Sequence, residues 1–199
     1  MSHATCLVIV PEDTEDVQLA AEELMESYWE ELEVESHLDE CWCLGSLARD
    51  RMYKEAEALP FNDNATKWDW VQEHLAEAVD KDWPDPECDN CHGVGRYMST
   101  SNPDGKWDWF TIGGRWAGAL YDKEGEQFDE NLGANSRKVS EITTRIFHSV
   151  ITPDGEWHES ATLGWFGITR NENTSWDEEL ESILKEYKDC IGVLVDFHC

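Results

Sequence analysis

The sequence predicts an α+β fold in which an antiparallel or mixed sheet contains both terminal strands and carries helices packed on it. Three observations lead there. Thr5 to Val10 and Ile191 to Phe197 are apolar runs of strand length, each reading as buried on both faces for most of its extent. Helical periodicity fills the chain between the first run and about residue 90. From about residue 94 short alternating segments follow, punctuated by Gly, Pro, Asn and Asp. The 199 residues suffice for one sizeable core, so a single domain over 1–199 is expected, with 36–98 as a helical, cysteine-containing insertion.

Pro11 ends the first strand. From Thr14 onward Val17, Ala20, Ala21, Leu24, Tyr28 and Leu32 recur at helical spacing, and Glu22, Glu23, Glu26 and Glu30 fill the outer positions. The spacing predicts an amphipathic helix with an acidic face. Residues 44–60 form a second helix, stopped before Pro60. A third starts near Thr66 with Asp69 as its capping partner, turns Trp70, Val71, Leu75 and Ala78 inward, and ends at Trp83-Pro-Asp-Pro86. Strands are expected at Tyr97–Thr100, Trp107–Ile112 and Ala117–Tyr121, a hairpin at Lys123-Glu-Gly125, and a loop over 129–141. Arg145–Ile151 and Glu156–Glu159 form a hairpin around Thr152-Pro-Asp-Gly155, where proline presets φ and glycine takes the φ > 0 position. Ser175 with Glu178 reads as a capping box, followed by the stripe Trp176, Leu180, Ile183, Leu184 and Tyr187. That helix hands over to the last strand.

Charge narrows the function classes. The formal net charge is −29, no Lys or Arg precedes Arg49, and thirteen Asp and Glu lie from Glu12 to Glu40. Such a field repels phosphate backbones and anionic membranes, so direct nucleic-acid binding and membrane binding are not expected. It attracts a basic protein surface; equally, it serves solubility alone. The sequence has no run of eighteen apolar residues and no basic segment leading into an apolar one, which predicts a soluble, cytoplasmic protein. Seven cysteines, an odd number, together with a C-x-x-C spacing favour reduced thiols and metal over disulfides.

Cys88-Asp-Asn-Cys91-His-Gly-Val-Gly95 has the form C-x-x-C-x-G-x-G, in which glycines let amides turn towards a bound thiolate. Over these eight residues it resembles the zinc knuckles of the DnaJ cysteine-rich domain. A tetrahedral zinc needs four ligands. Cys41 and Cys43 supply a tighter pair, with His92, His37 and His74 as substitutes. One structural zinc on Cys41, Cys43, Cys88 and Cys91 would staple the insertion and contribute to folding. The other reading is two unrelated pairs of reduced cysteines.

Three Gly/Trp clusters carry the remaining chemistry: NPDGKWDWFTIGGRW at 102–116, TPDGEWH at 152–158 and LGWFG at 163–167. Strand alternation puts Trp107 and Trp109 on one face, with Asp108 and Phe110 on the other. Gly113 and Gly114 allow close backbone approach, and Arg115 offers a planar fork for an anion. A pocket of Lys106, Trp107, Asp108, Trp109, Arg115, Trp116, Trp157, His158 and Trp165 would suit a nucleotide-like ligand, where stacking contributes ~1–3 kcal/mol per base. The alternative is an aromatic core with a structural arginine. Trp29, Trp42, Trp68, Trp70, Trp83 and Trp176 are assigned to packing.

An enzyme has narrower material. A metal- or His-dependent nucleotide hydrolase or phosphodiesterase would use His158, His198 and Asp196, with Asp108 nearby and Arg115 holding an anion. The other reading is histidines packed on half-buried strands. The sequence contains no H-E-x-x-H, G-x-S-x-G, Walker loop or Rossmann fingerprint.

The three Gly/Trp motifs, the short apolar strand at the start and the D-x-H at the end together resemble an uncharacterised family encoded by bacteriophages and prophage-like regions. The resemblance covers the β-rich portion and both ends. The resemblance supplies a phage context and no mechanism; the acidic first quarter and the Gly/Trp clusters lead to the expectation of an accessory, anti-defence protein in the host cytoplasm that inhibits by binding. Its acidic helical surface would engage a basic groove of a host nuclease such as a CRISPR effector, or its Trp/Arg pocket would sequester a nucleotide-like signal. A purely structural phage component is the third possibility.

Overall fold

The computed structural model describes residues 3–41, 43–61, 63–64, 66–71, 74, 88–121, 132–163 and 169–199, with the backbone alone at 44–50 and 169–170. In chain order the strands are β1 (His3–Val10), β2 (His37–Glu40), β3 (Arg96–Ser99), β4 (Trp109–Ile112), β5 (Ser136–Lys138), β6 (Ser149–Ile151), β7 (Trp157–Glu159), β8 (Thr162–Leu163), β9 (Thr169–Arg170) and β10 (Ile191–His198). The helices are α1 (Val17–Glu26), α2 (Cys43–Glu57) and α3 (Trp176–Glu186). The chain divides into two compact units, Met1–Glu33 with Ser101–Cys199, and Val34–Thr100; the expected insertion 36–98 falls inside the second.

The first unit is an α+β arrangement around a six-stranded mixed sheet in the order β4-β10-β1-β6-β7, with β5 also on β10. β1 and β10 pair antiparallel along their full length, from His3 opposite His198 to Val10 opposite Ile191. β6 joins β1 in parallel and β7 closes the hairpin antiparallel. The free edge of β10 takes β5 at Ile191–Val193 and β4 at Val195–His198.

Both faces of the central pair are covered, which is why these strands are apolar throughout and not alternating. On one face Cys6, Val8, Val10, Val193, Val195 and Phe197 meet Ala21 and Met25 of α1. On the other Leu7, Ile9 and Leu194 meet Trp176, Leu180, Ile183 and Leu184 of α3. The second unit pairs β2 with β3 antiparallel. Among its described residues Met52, Ala56 and Val71 form a buried apolar cluster, with Tyr53, Phe61 and Trp70 packed against it.

The first helix is shorter than its periodicity predicts. Asp16 caps it, its Oδ1 accepting from the amides of Gln18 and Leu19 at 3.2 and 3.1 Å, and it stops at Glu26. Beyond that point tertiary contacts take over. Tyr28 donates its hydroxyl to the Gly155 carbonyl, and Trp29 stacks on Trp107 with centroids 6.3 Å apart. In the second unit, residues 66–71 are helical, but the cap is Asp63, whose Oδ1 accepts from the Thr66 amide at 2.7 Å. Leu75, Ala78 and Trp83–Pro86 lie outside the described residues.

Other differences follow where side chains satisfy the backbone. Ala117–Tyr121 is not a strand. Gly113 and Gly114, at φ 74° and 50°, turn the chain into a 3-10 helix at Gly114–Trp116, and successive turns use the amides of Ala119 and Tyr121. The predicted loop over 129–141 contains β5, because its polar residues have internal partners. Asn135 Oδ1 accepts from the Gly118 amide at 3.1 Å, and the Arg137 guanidinium donates to the Leu120 carbonyl at 2.7 Å. Ser175 makes no side-chain cap; its amide donates to Asn173 Oδ1, so the expected capping box is absent. The Lys123-Glu-Gly125 hairpin falls outside the described residues.

Gly114 has positive φ, and a Cβ there would overlap the Asp196 carboxylate, whereas Gly133, also at positive φ (74°), faces open space. Gly133→Ala should therefore cost about 1–2 kcal/mol from φ alone. Gly114→Ala should cost roughly twice that, once the displaced carboxylate is added. Urea midpoints at unchanged slope measure the difference.

Candidate functional site

Cys41 follows β2, Cys43 opens α2, and Cys88 and Cys91 sit in the turn that leads into β3. The β2–β3 pairing thus brings two sequence-distant pairs together. The four sulfurs lie within 4.8 Å of one another. Cys41 and Cys88 are 3.6 Å apart, as are Cys43 and Cys91. Sulfurs at the corners of a tetrahedron with metal–sulfur bonds of about 2.3 Å would be about 3.8 Å apart, and disulfide sulfurs only about 2.0 Å. The spacing fits a structural metal site.

The turn supplies the supporting bonds. His92 and Gly93, at φ 50° and 78°, fold the chain back, and the Cys41 amide donates to the Gly95 carbonyl at 2.9 Å. Burial works to raise the Cys91 thiol, but hydrogen bonds from the Gly95 and Gly93 backbone and from Cys43 and Cys88 outweigh it and bring it down to about 7. Cys6, buried within the sheet, is pushed up to about 12. The substitute histidines are engaged elsewhere: His37 Nδ1 lies 3.3 Å from the Glu35 carbonyl and His74 Nδ1 lies 2.8 Å from the Trp70 carbonyl. His92 is exposed.

The first unit contains a cavity of ≈ 290 Å³ over the Phe197 face of β10. Trp157, Phe197 and Leu163 give it apolar wall, and Lys106, Glu159, His148 and Glu30 give it polar groups. Glu159 organises one side: it accepts from Lys106 Nζ at 3.1 Å, Trp157 Nε1 at 2.9 Å and the Thr162 hydroxyl at 3.2 Å. His148 Nδ1 lies 2.9 Å from the Ser160 hydroxyl, and burial holds its pKa below the ordinary value against the nearby Glu159 carboxylate.

Of the predicted pocket residues, Lys106 and Trp157 line this cavity, while Trp107, Asp108, Trp109, Arg115, Trp116 and His158 do not; Trp165 lies outside the described residues. The alternation expected over Trp107–Ile112 fails at its first residue. Trp107 precedes β4 and is buried, donating Nε1 to the Met25 carbonyl at 3.0 Å and meeting Phe110 edge-on at 4.7 Å. Trp109 is 44% exposed. Trp116 packs at the α3 face, and Arg115 is exposed. Arg115 contributes its backbone amide, which donates to Asp196 Oδ2 at 3.0 Å.

The hydrolase constellation is split. His158 stands on β7, separated from β10 by β6 and β1, and bonds Glu179 through Nδ1 at 2.7 Å. Asp196 and His198 gather other residues. Asp196 Oδ1 is 2.8 Å from His3 Nδ1, and Asp108 Oδ1 is 2.6 Å from His198 Nδ1. His3 is the residue that sequence reasoning passed over; its signal lay in the register that sets it opposite His198. Glu22, Glu23, Glu26 and Glu30 are all exposed, and none of them forms an ion pair among the described residues.

In metal-free, reduced protein at pH 7.5, alkylation should modify Cys91 well before Cys6, as followed by peptide mass spectrometry. His148 gives a pH signature. Its folded pKa is depressed, so the unfolded chain takes up the proton first as pH falls. Stability should be fully present above the ordinary histidine value and drop below it, and His148→Gln should flatten that acid limb in thermal melts. No protein-family model, curated protein or solved structure matches this chain.

Proposed function

We propose that the chain acts by binding: a phage-type accessory inhibitor whose cavity beside Trp157 takes the ring of a nucleotide-like small molecule. The recess carries this reading. Its ≈ 290 Å³ matches a single heterocycle more closely than a whole dinucleotide, and its walls combine aromatic surface with a few fixed polar groups. The lining holds carboxylates at Glu30 and Glu159 against one cation, Lys106, with His148 held towards its neutral form. That balance disfavours a phosphate inside. It favours a neutral or cationic ring that donates hydrogen bonds, with any phosphates left outside.

A second reading rests on the unpaired carboxylates of α1. Glu22, Glu23 and Glu26, with Glu30 beyond the helix, form an anionic surface suited to a basic groove on a host protein, a nuclease such as a CRISPR effector among them. The cysteine cluster is read as a structural zinc, since thiolates at this spacing suit that ion.

Tryptophan-fluorescence titration with a panel of nucleosides and nucleotides tests the cavity. Trp157→Ala, shown folded by circular dichroism, should weaken the best ligand about 5- to 150-fold, the range of one lost stacking contact. If no member of the panel binds, the cavity reading is removed. Reversing Glu22, Glu23 and Glu26, none of which lines the cavity, to lysine should leave ligand binding intact and abolish capture of a basic partner. Elemental analysis should find about one zinc per chain, lost in Cys88→Ser.

A further inference from the structure

At the end of β1 and β10 two imidazoles are held by two carboxylates. His3 and His198 face each other across the strand register, edge to face, with ring centroids 5.3 Å apart and planes at 69°. Each uses Nδ1 for its carboxylate, His3 for Asp196 at 2.8 Å and His198 for Asp108 at 2.6 Å. Asp196 is 2% exposed, and its second oxygen accepts the Arg115 amide at 3.0 Å, so it is fixed as an orienting group. A carboxylate on Nδ1–H sets the tautomer and leaves Nε2 as a bare lone pair, the arrangement that metal-binding histidines use.

His198 supplies the observation that packing does not explain. It is 8% exposed, yet its Nε2 is buried with no hydrogen-bond partner among the described residues. Left so, a buried acceptor without a partner is destabilising. Trp109 stacks on this ring at 5.5 Å and 9°, and meets the edge of His3 at 5.0 Å. Two imidazoles bound through nitrogen at about 2.0–2.1 Å to one tetrahedral ion would have centroids about 5.2 Å apart. The observed 5.3 Å agrees.

We propose that His3 and His198 form a nitrogen-donor site for a divalent transition-metal ion of the zinc class, separate from the cysteine cluster. Asp196 and Asp108 act as positioning residues that orient the two rings, and water or an anionic ligand completes the coordination. Imidazole donors with no thiolate suit Zn²⁺, Ni²⁺ or Cu²⁺ over Mg²⁺ or Ca²⁺.

Cobalt(II) titration of the full, reduced, metal-free chain separates the two sites, because thiolate ligands give an intense near-ultraviolet charge-transfer band and imidazoles do not. Wild type should take up about two cobalt ions per chain, and His3→Gln with His198→Gln should reduce this to about one while retaining the thiolate band. Uptake of a single ion accompanied by that band, or unchanged stoichiometry in the double variant, overturns the proposal. Nitrogen-15 spectra of histidine-labelled wild type give a test independent of variant folding. Zinc added after the thiolates are saturated should shift the Nε2 signals of His3 and His198, and unmoved signals refute the site.

Discussion

The antiparallel register between β1 and β10 is the constraint on which the first unit depends. It runs from His3 opposite His198 to Val10 opposite Ile191 and places both strands inside the sheet, with neighbours on either side. One register decides both faces, since a slip of a single residue would exchange the α1 core for the α3 core along the whole pair. The same register brings Thr5 opposite Asp196 and His3 opposite His198, so the polar end of the pair is specified by the apolar stretch behind it. Alternation then sorts the end of β10. Asp196 and His198 point to the side of the paired imidazoles, and Phe197 to the side of the cavity.

The second unit solves a different problem. Its β2–β3 pair exposes Leu38 and Met98 opposite one another. A two-stranded pair of this kind is marginal without help. Four thiols drawn together by that pairing provide a natural place for it, and the lowered Cys91 thiol shows that the surrounding amides already favour the thiolate.

Much of this was legible in the chain. Continuous apolar strands at the two ends announced a sheet covered on both faces, and the Thr152-Pro-Asp-Gly155 turn located the β6–β7 hairpin. The cysteine spacing pointed to four residues that do meet. What escaped were features set by tertiary partners. Trp107 and Trp109 look equivalent by alternation, but the bridge between Trp29 and Trp107 holds the first out of the strand. β5 looked like loop because its polar sequence resembles a solvent-facing one until Leu120 accepts from Arg137, Gly118 donates to the preceding Asn135 and β10 pairs with the backbone. His3 lay beyond the first apolar run, and only the pairing with the far end of the chain gives it a neighbour. His158 looked like a companion of His198 on sequence grounds, yet two intervening strands separate them.

The placement of β10 bears on biosynthesis. It bonds β1, β4 and β5, yet it follows every one of them in the chain. While the ribosome is still extending the polypeptide, β1 has β6 as its sheet neighbour and nothing on its other side, while β4 and β5 have no strand to join. Closure of the first unit therefore waits for β10 to emerge, and nascent chains must carry an open, apolar β1 edge while the residues between β1 and β10 are made.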